Sequence, residues 1–165
     1  MGPDSTPISI DLNKNQRQQY IKLALLLLLV SLIGIIILLS WVPPVSRDAL
    51  SHHLSVPKLY LKHQGMYEIP SIMFSYYPMN VDLLYLIPLY FGNDILPKII
   101  HFIFALFTAW LIYTYLVKRV EAIWAIIGAI FFLSLPIIVK LSITVYVDLG
   151  LVFFRPPRLS AFSNG

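Results

Sequence analysis

Residues 99–139 read IIHFIFALFTAWLIYTYLV KRVE AIWAIIGAIFFLSLPIIV, two uncharged apolar runs, 99–117 and 122–139, joined by Lys118, Arg119, Val120 and Glu121. His101 alone interrupts the first run. At about 1.5 Å of rise per residue, each run written as a helix approaches the roughly 30 Å thickness of a bilayer's hydrocarbon core. A link this short admits only an antiparallel hairpin, and its two adjacent cations put the tip in the cytoplasm by the positive-inside bias.

Upstream, residues 23–42 form another uncharged span, preceded by Lys14, Arg17 and Lys22 and therefore also entered from the cytoplasm. A cleaved signal peptide needs a shorter apolar region ending in small residues. This run ends Leu39, Ser40, Trp41, Val42, Pro43, Pro44, so it stays in the protein with Trp41 at the interface. Residues 1–20 are polar, carry Pro3, Pro7, Asn13 and Asn15, and read as a short flexible cytoplasmic tail. Downstream, residues 141–154 contain Asp148 and begin a fourth span that they do not complete. The run halts at Arg155, Pro156, Pro157 and Arg158, and residues 155–165 read as an atypical tail. Either this is a natural terminus or, as the reading taken here, the frame is cut or shifted near Phe154.

Composition agrees with these spans. The chain has 165 residues, 58% hydrophobic and 12% charged, too little polar surface to cover a soluble globule of that size. Its 14% aromatic residues and 12 prolines fit interfaces and broken membrane helices better than a single-span anchor. With no cysteine, disulfides, thiolate zinc sites and cysteine nucleophiles are excluded. The net charge of +4 comes from cations that mostly flank apolar runs, which reads as topology and contact with anionic lipid headgroups rather than nucleic-acid binding.

The fold expected is therefore an all-α multi-pass protein of the cell (inner) membrane. It has three complete transmembrane helices, an incomplete fourth, a cytoplasmic N-terminus and a long first outer loop, residues 43–98, containing short interfacial helices. In that loop Ser46 is a good N-cap for a helix in which Leu50, Leu54, Pro57 and Leu61 recur at spacings of four, three and four, with a break at Pro57. Residues 82–91, preceded by Pro78 and containing Pro88, are apolar but too short to span, and read as an interfacial helix.

Two carboxylates stand out by position. Asp48 follows the first span closely, Asp148 heads the fourth, and with two crossings between them both fall on the outer face. A carboxylate beside hydrocarbon is costly unless hydrated, paired or functional. The plainer readings are that Asp48 favours a helix dipole and that Asp148 pairs with Lys140. Asp48 and His52, at i, i+4 spacing and beside His53, can share a helix face. Together they could bind a divalent metal, but with no third ligand at a diagnostic spacing the reading taken here is a hydrogen-bonded structural or substrate-facing His pair, and cofactor use stays open. Lys58, Lys62 and Lys140, with Arg47, supply charge to hold an anionic phosphate or simply snorkel to headgroups. Glu68 and Asp82 carry no signal beyond solvation, and Phe74, Tyr76, Tyr77, Tyr85 and Tyr90 read as an interfacial belt. Phosphate-cradling Gly-rich loops, metalloprotease helices and nucleophile elbows are absent, which excludes the common nucleotide-dependent enzymes.

The order of these features resembles the integral-membrane glycosyltransferases of the GT-C superfamily, in particular the bacterial branch akin to aminoarabinose transferases and protein O-mannosyltransferases. The resemblance rests on one span followed by residues 42–44, then Arg47, Asp48, Ala49, Leu50, Ser51, His52, His53 and Leu54, with Pro57, Lys58, Leu59 and Tyr60 behind them. It continues through residues 75–82, the spans around Lys118 and Arg119, and Tyr146, Val147 and Asp148, covering roughly residues 21–154. It implies that Asp48 matches the acidic position of the first outer loop, associated with catalysis, and that Asp148 matches that of the second. It also implies transfer of a sugar from a polyprenyl-phosphate donor to an acceptor outside the cytoplasm. Family members have many more spans and usually a further soluble domain, so this chain reads as an N-terminal fragment that is inactive in isolation. The rival classes are a non-catalytic small membrane subunit, which needs neither carboxylate, and a transporter fragment, which predicts an inverted hydropathy repeat that the sequence lacks.

Overall fold

The computed structural model of the chain describes residues 6–77 and 79–154. Every regular element among the described residues is helical. The α-helices in chain order are α1 (Thr6–Ser40), α2 (Ser55–His63), α3 (Leu86–Tyr90), α4 (Leu96–Leu116), α5 (Ala122–Ser134), α6 (Pro136–Ser142) and α7 (Asp148–Phe154), with a π turn and two 3-10 turns in the stretch between α1 and α3. The atypical tail, residues 155–165, lies outside the described residues.

Two helices, α1 over Asn13–Ser40 and α4, are long and apolar enough to cross a membrane; α5 and α6 make a third only as a pair bent by 64°. The described residues are thus all-helical, with two to three candidate membrane spans, where hydropathy alone predicts three unbroken ones. The bend falls at Leu135, whose backbone is extended (ψ 129°), immediately before Pro136. Proline has no amide hydrogen to give the helix and pushes the residue before it out of the α region, so the apolar run cannot continue straight. α1 departs from expectation in the other direction. It begins at Thr6 rather than after a flexible tail. Residues 13–22, rich in Gln, Lys and Arg and free of Gly and Pro, extend a helix already nucleated in the apolar run.

α4 is the hub of the bundle, packing on α5, α6 and α7, while α1 leans chiefly on α5. On α1 the contact stripe is Leu29, Leu32, Ile33 and Ile36, one face at helical spacing, and Ser40 continues it. The remaining apolar side chains of α1 are largely exposed, as on a helix that faces lipid.

One end of the bundle is tied by two buried polar side chains of α4. The Lys98 ammonium donates to the Ser40 carbonyl at 3.4 Å and to that of Val42, the open carbonyls at the end of α1. Only 2% of Lys98 is exposed. Orphan helix-end carbonyls in apolar surroundings need such a donor, and a cation there also meets the negative end of the helix dipole. One turn on, His101 Nδ1 donates to the Leu141 carbonyl at 3.0 Å, and its Nε2 accepts from the Leu149 amide at 3.0 Å. One nitrogen gives and the other receives, the pattern of a neutral ring, and it joins α4 to the end of α6 and the start of α7. α7 comes close to the loop because residue 150 is glycine; a Cβ there would lie 2.9 Å from Val81 Cγ2.

Replacing Lys98 by Met keeps the stem and removes the donor. The expected loss is about 1.5–3 kcal/mol, the usual worth of a hydrogen bond to a charged group, read as a lowered unfolding midpoint in detergent. Lys98→Arg retains most of the stability.

Candidate functional site

Above the tied end, residues 43–95 fold into short helices and turns. Ser46 Oγ accepts from the Ala49 amide at 3.2 Å, as an N-cap does. The chain then widens into a π turn over Ala49–His53, closed by the Leu54 amide on the Ala49 carbonyl at 2.9 Å. The break attributable to Pro57 therefore falls before it. α2 restarts at Ser55, and Pro57 sits in its first turn, where a missing amide hydrogen costs nothing.

The wide turn changes which residues share a face. Five-residue bonding carries the Asp48 face toward His53 instead of His52. His52 hydrogen-bonds with Ser51 Oγ at 3.0 Å and stacks on Phe74 with centroids 4.3 Å apart. The expected Asp48–His52 face is thus replaced. Asp48 instead accepts from the Tyr146 hydroxyl at 3.2 Å, and the His53 ring meets Tyr146 edge-on with centroids 5.6 Å apart.

Asp82 is the residue that the sequence undervalues. It is 3% exposed, and its Oδ1 lies 2.9 Å from His53 Nδ1. A carboxylate has no proton to give, so Nδ1 donates and Nε2 is left on the far edge of the ring. The 3-10 turn Asp82–Tyr85 leads into α3, and together they bury Asp82, Tyr85, Pro88 and Leu89 on one face. The opposite side presents Ile87, Tyr90 and Phe91 outward. Tyr85 donates to the Tyr146 carbonyl. Burial holds the Tyr85 phenol well above its usual pKa, with Asp82 and then Asp148 adding to the effect, so it stays protonated and keeps donating.

Asp48, His53, Asp82, Tyr85 and Tyr146 thus form one connected cluster. Asp148, exposed in the first turn of α7, follows Tyr146 by two residues. The three lysines do not gather with it. Lys58 is paired with Asp94 at 2.8 Å on the surface, and Lys62 and Lys140 are exposed. Among the described residues the ion-pair contacts are Lys58–Asp94 and His53–Asp82, so Asp148 does not pair with Lys140. No three His, Asp or Glu side chains among the described residues converge to hold a metal ion. His101 and Lys98 also escaped the functional reading of the sequence, although a lone ionisable side chain in an apolar run always needs a partner. No family model, curated protein or solved structure matches the chain.

Two outcomes follow from this geometry. Asp82→Ala strands a buried histidine and costs about 3 kcal/mol, whereas Asp48→Ala, at an exposed carboxylate, leaves the unfolding midpoint unchanged. His52 is held below its ordinary pKa of 6.5, by burial first and by the neighbouring His53 second, against the pull of Asp48 and Asp82. The unfolded chain then binds this proton more readily than the folded one, so stability falls as pH drops below 6.5. His52→Gln flattens that part of the stability profile measured between pH 7 and pH 5.

Proposed function

We propose that the chain is the N-terminal part of a multi-pass inner-membrane glycosyltransferase that takes a sugar from a polyprenyl-phosphate donor and transfers it to an acceptor hydroxyl on the extracytoplasmic face. The observation that carries this reading is the 3.2 Å hydrogen bond from Tyr146 to Asp48. It joins the segments of the two acids singled out by the resemblance, beside the buried His53–Asp82 pair and at the end of the bundle opposite the Lys118–Arg119 turn.

The chemistry suits that location. Nucleotide sugars are not supplied outside the cytoplasm, so the donor must be held by a lipid, and the reacting atoms must meet at the membrane boundary. The acceptor oxygen forms a bond to the anomeric carbon, its proton passes to Asp48, and the carbon–oxygen bond to the phosphate breaks with its electron pair leaving on the polyprenyl phosphate. Exposed Asp48 is accessible to an acceptor, and Tyr146 orients its second oxygen. Asp148 is the second acid at this boundary. Lys62 and Lys140, exposed and without an ion-pair partner among the described residues, can neutralise the departing phosphate only by swinging toward the site, and Lys58 only by first releasing Asp94.

Membranes carrying the full-length protein, supplied with a panel of polyprenyl-phosphate sugars, should transfer one of them, and Asp48→Asn should slow that transfer by about 10²–10⁴-fold, the usual worth of a positioned base. Retention of the full rate would refute the base assignment and favour a non-catalytic subunit. Because the chain has no cysteine, single cysteines report topology cleanly. Positions 48 and 148 should react with an impermeant maleimide from the outside of intact cells, and position 119 only after permeabilisation.

A further inference from the structure

The opposite end of the bundle carries a second feature that the transferase reading leaves unused. Between α1, α4 and α5 lies a cleft of about 740 Å³ whose lining includes Lys22, Ile33, Ala109, Trp110, Tyr113 and Ala129. Its size is that of a small-molecule or lipid-tail site. The walls are apolar and aromatic, and small residues make the floor, Ala109 and Ala129 being buried at 5% and 4% exposure.

Two observations identify its occupant. The first is length. From Lys22 to Ile33 the cleft follows α1 for eleven residues, about 16 Å, which is one leaflet's share of a roughly 30 Å hydrocarbon core. Beyond Ile33 it closes, because Ile36 is fully buried and Ser40 bonds across to the Ser142 carbonyl at 3.4 Å. A transmembrane helix or a second copy packed on this side would follow α1 along its whole length, whereas a single lipid chain ends at mid-bilayer. The second is charge. Lys22 stands at the cleft's open end, level with Ala122 and the α4–α5 turn that carries Lys118 and Arg119; Lys14 and Arg17 extend α1 beyond it. A cation at the mouth of a one-leaflet hydrocarbon groove matches an anionic headgroup above an acyl chain.

We propose that this cleft binds an anionic phospholipid of the leaflet at the α4–α5 turn, with one acyl chain along Ala109 and Ala129 and the headgroup phosphate on Lys22. This site is independent of the transfer chemistry at the other end and stands if that chemistry fails. Trp110, 61% exposed in the cleft wall, is a built-in reporter, and Trp124, also 61% exposed and near the same turn, does not line the cleft.

The test uses the full chain in phosphatidylcholine vesicles with either Trp110 or Trp124 as the sole tryptophan, the others being changed to Phe. Brominated phosphatidylglycerol or brominated phosphatidylcholine is then added as quencher. Phosphatidylglycerol should half-quench Trp110 at about five-fold lower mole fraction than phosphatidylcholine, the worth of one lysine at an anionic surface. Trp124 should show no such preference. Lys22→Gln should abolish the preference at Trp110 and Lys22→Arg should keep it, with circular dichroism checking that both variants fold. Equal quenching of Trp110 by the two lipids, or the same preference at Trp124, would overturn the site in favour of general attraction of anionic lipid to the basic end. A Trp110 quenched by neither lipid would overturn it in favour of a protein partner, and cross-linking between copies would then identify a second chain.

Discussion

A helix that ends in apolar surroundings has carbonyls with nowhere to go, and the rest of this structure depends on how that constraint is met at Ser40. The donor arrives from Lys98, on the helix that follows the entire outer loop. The loop is thereby closed at its base: Lys98, its last residue, is bound through its ammonium to the Ser40 and Val42 carbonyls just before the loop begins. Within that closure the chain from Pro43 to Pro97 folds into short helices that pack on each other, and the His53–Asp82 bond draws its two halves together. His101 repeats the device one turn deeper, tying the start of α7 to the same helix. The candidate site is therefore assembled above two buried basic side chains whose partners are mostly backbone atoms.

Much of the architecture was legible in the sequence because apolar length is a strong signal. The runs at 23–42 and 99–117 correspond to α1 and α4, and the four residues between 117 and 122 do form the turn of a hairpin. What the runs hide is where the backbone stops being helical inside them. Hydropathy averages over Pro136, so the 122–139 segment looks straight although the chain bends there by 64°. The reverse error occurs at residues 6–20, where polarity suggests an unfolded tail but the helix formers simply prolong α1.

The site was legible only in part. Asp48, His53 and Asp148 could be singled out by position, since acids and histidines beside apolar runs are uncommon, whereas Tyr146 entered only through the family resemblance. Asp82 could not, because a lone acid in a loop looks the same whether it is solvated or buried; burial depends on residues 29 positions away folding over it. The lysines show the opposite failure. Lys58 has the charge for a phosphate, but surface charge finds whichever carboxylate the fold brings near, in this case Asp94.

The π turn over Ala49–His53 has a bearing on how this region can vary. A wide turn acts as a phase shifter: it inserts a residue into the helical screw without inserting a full rotation, and so swings everything before it relative to everything after. The separation in sequence between Asp48 and α2 is consequently a structural quantity as fixed as a bond angle. Lengthening or shortening the chain by one residue there would turn His53 away from both Asp82 and Tyr146 by roughly a quarter of a circle, even with every side chain still present. Insertions in the stretch between α2 and the 3-10 turn Met73–Tyr76 would leave that registration untouched.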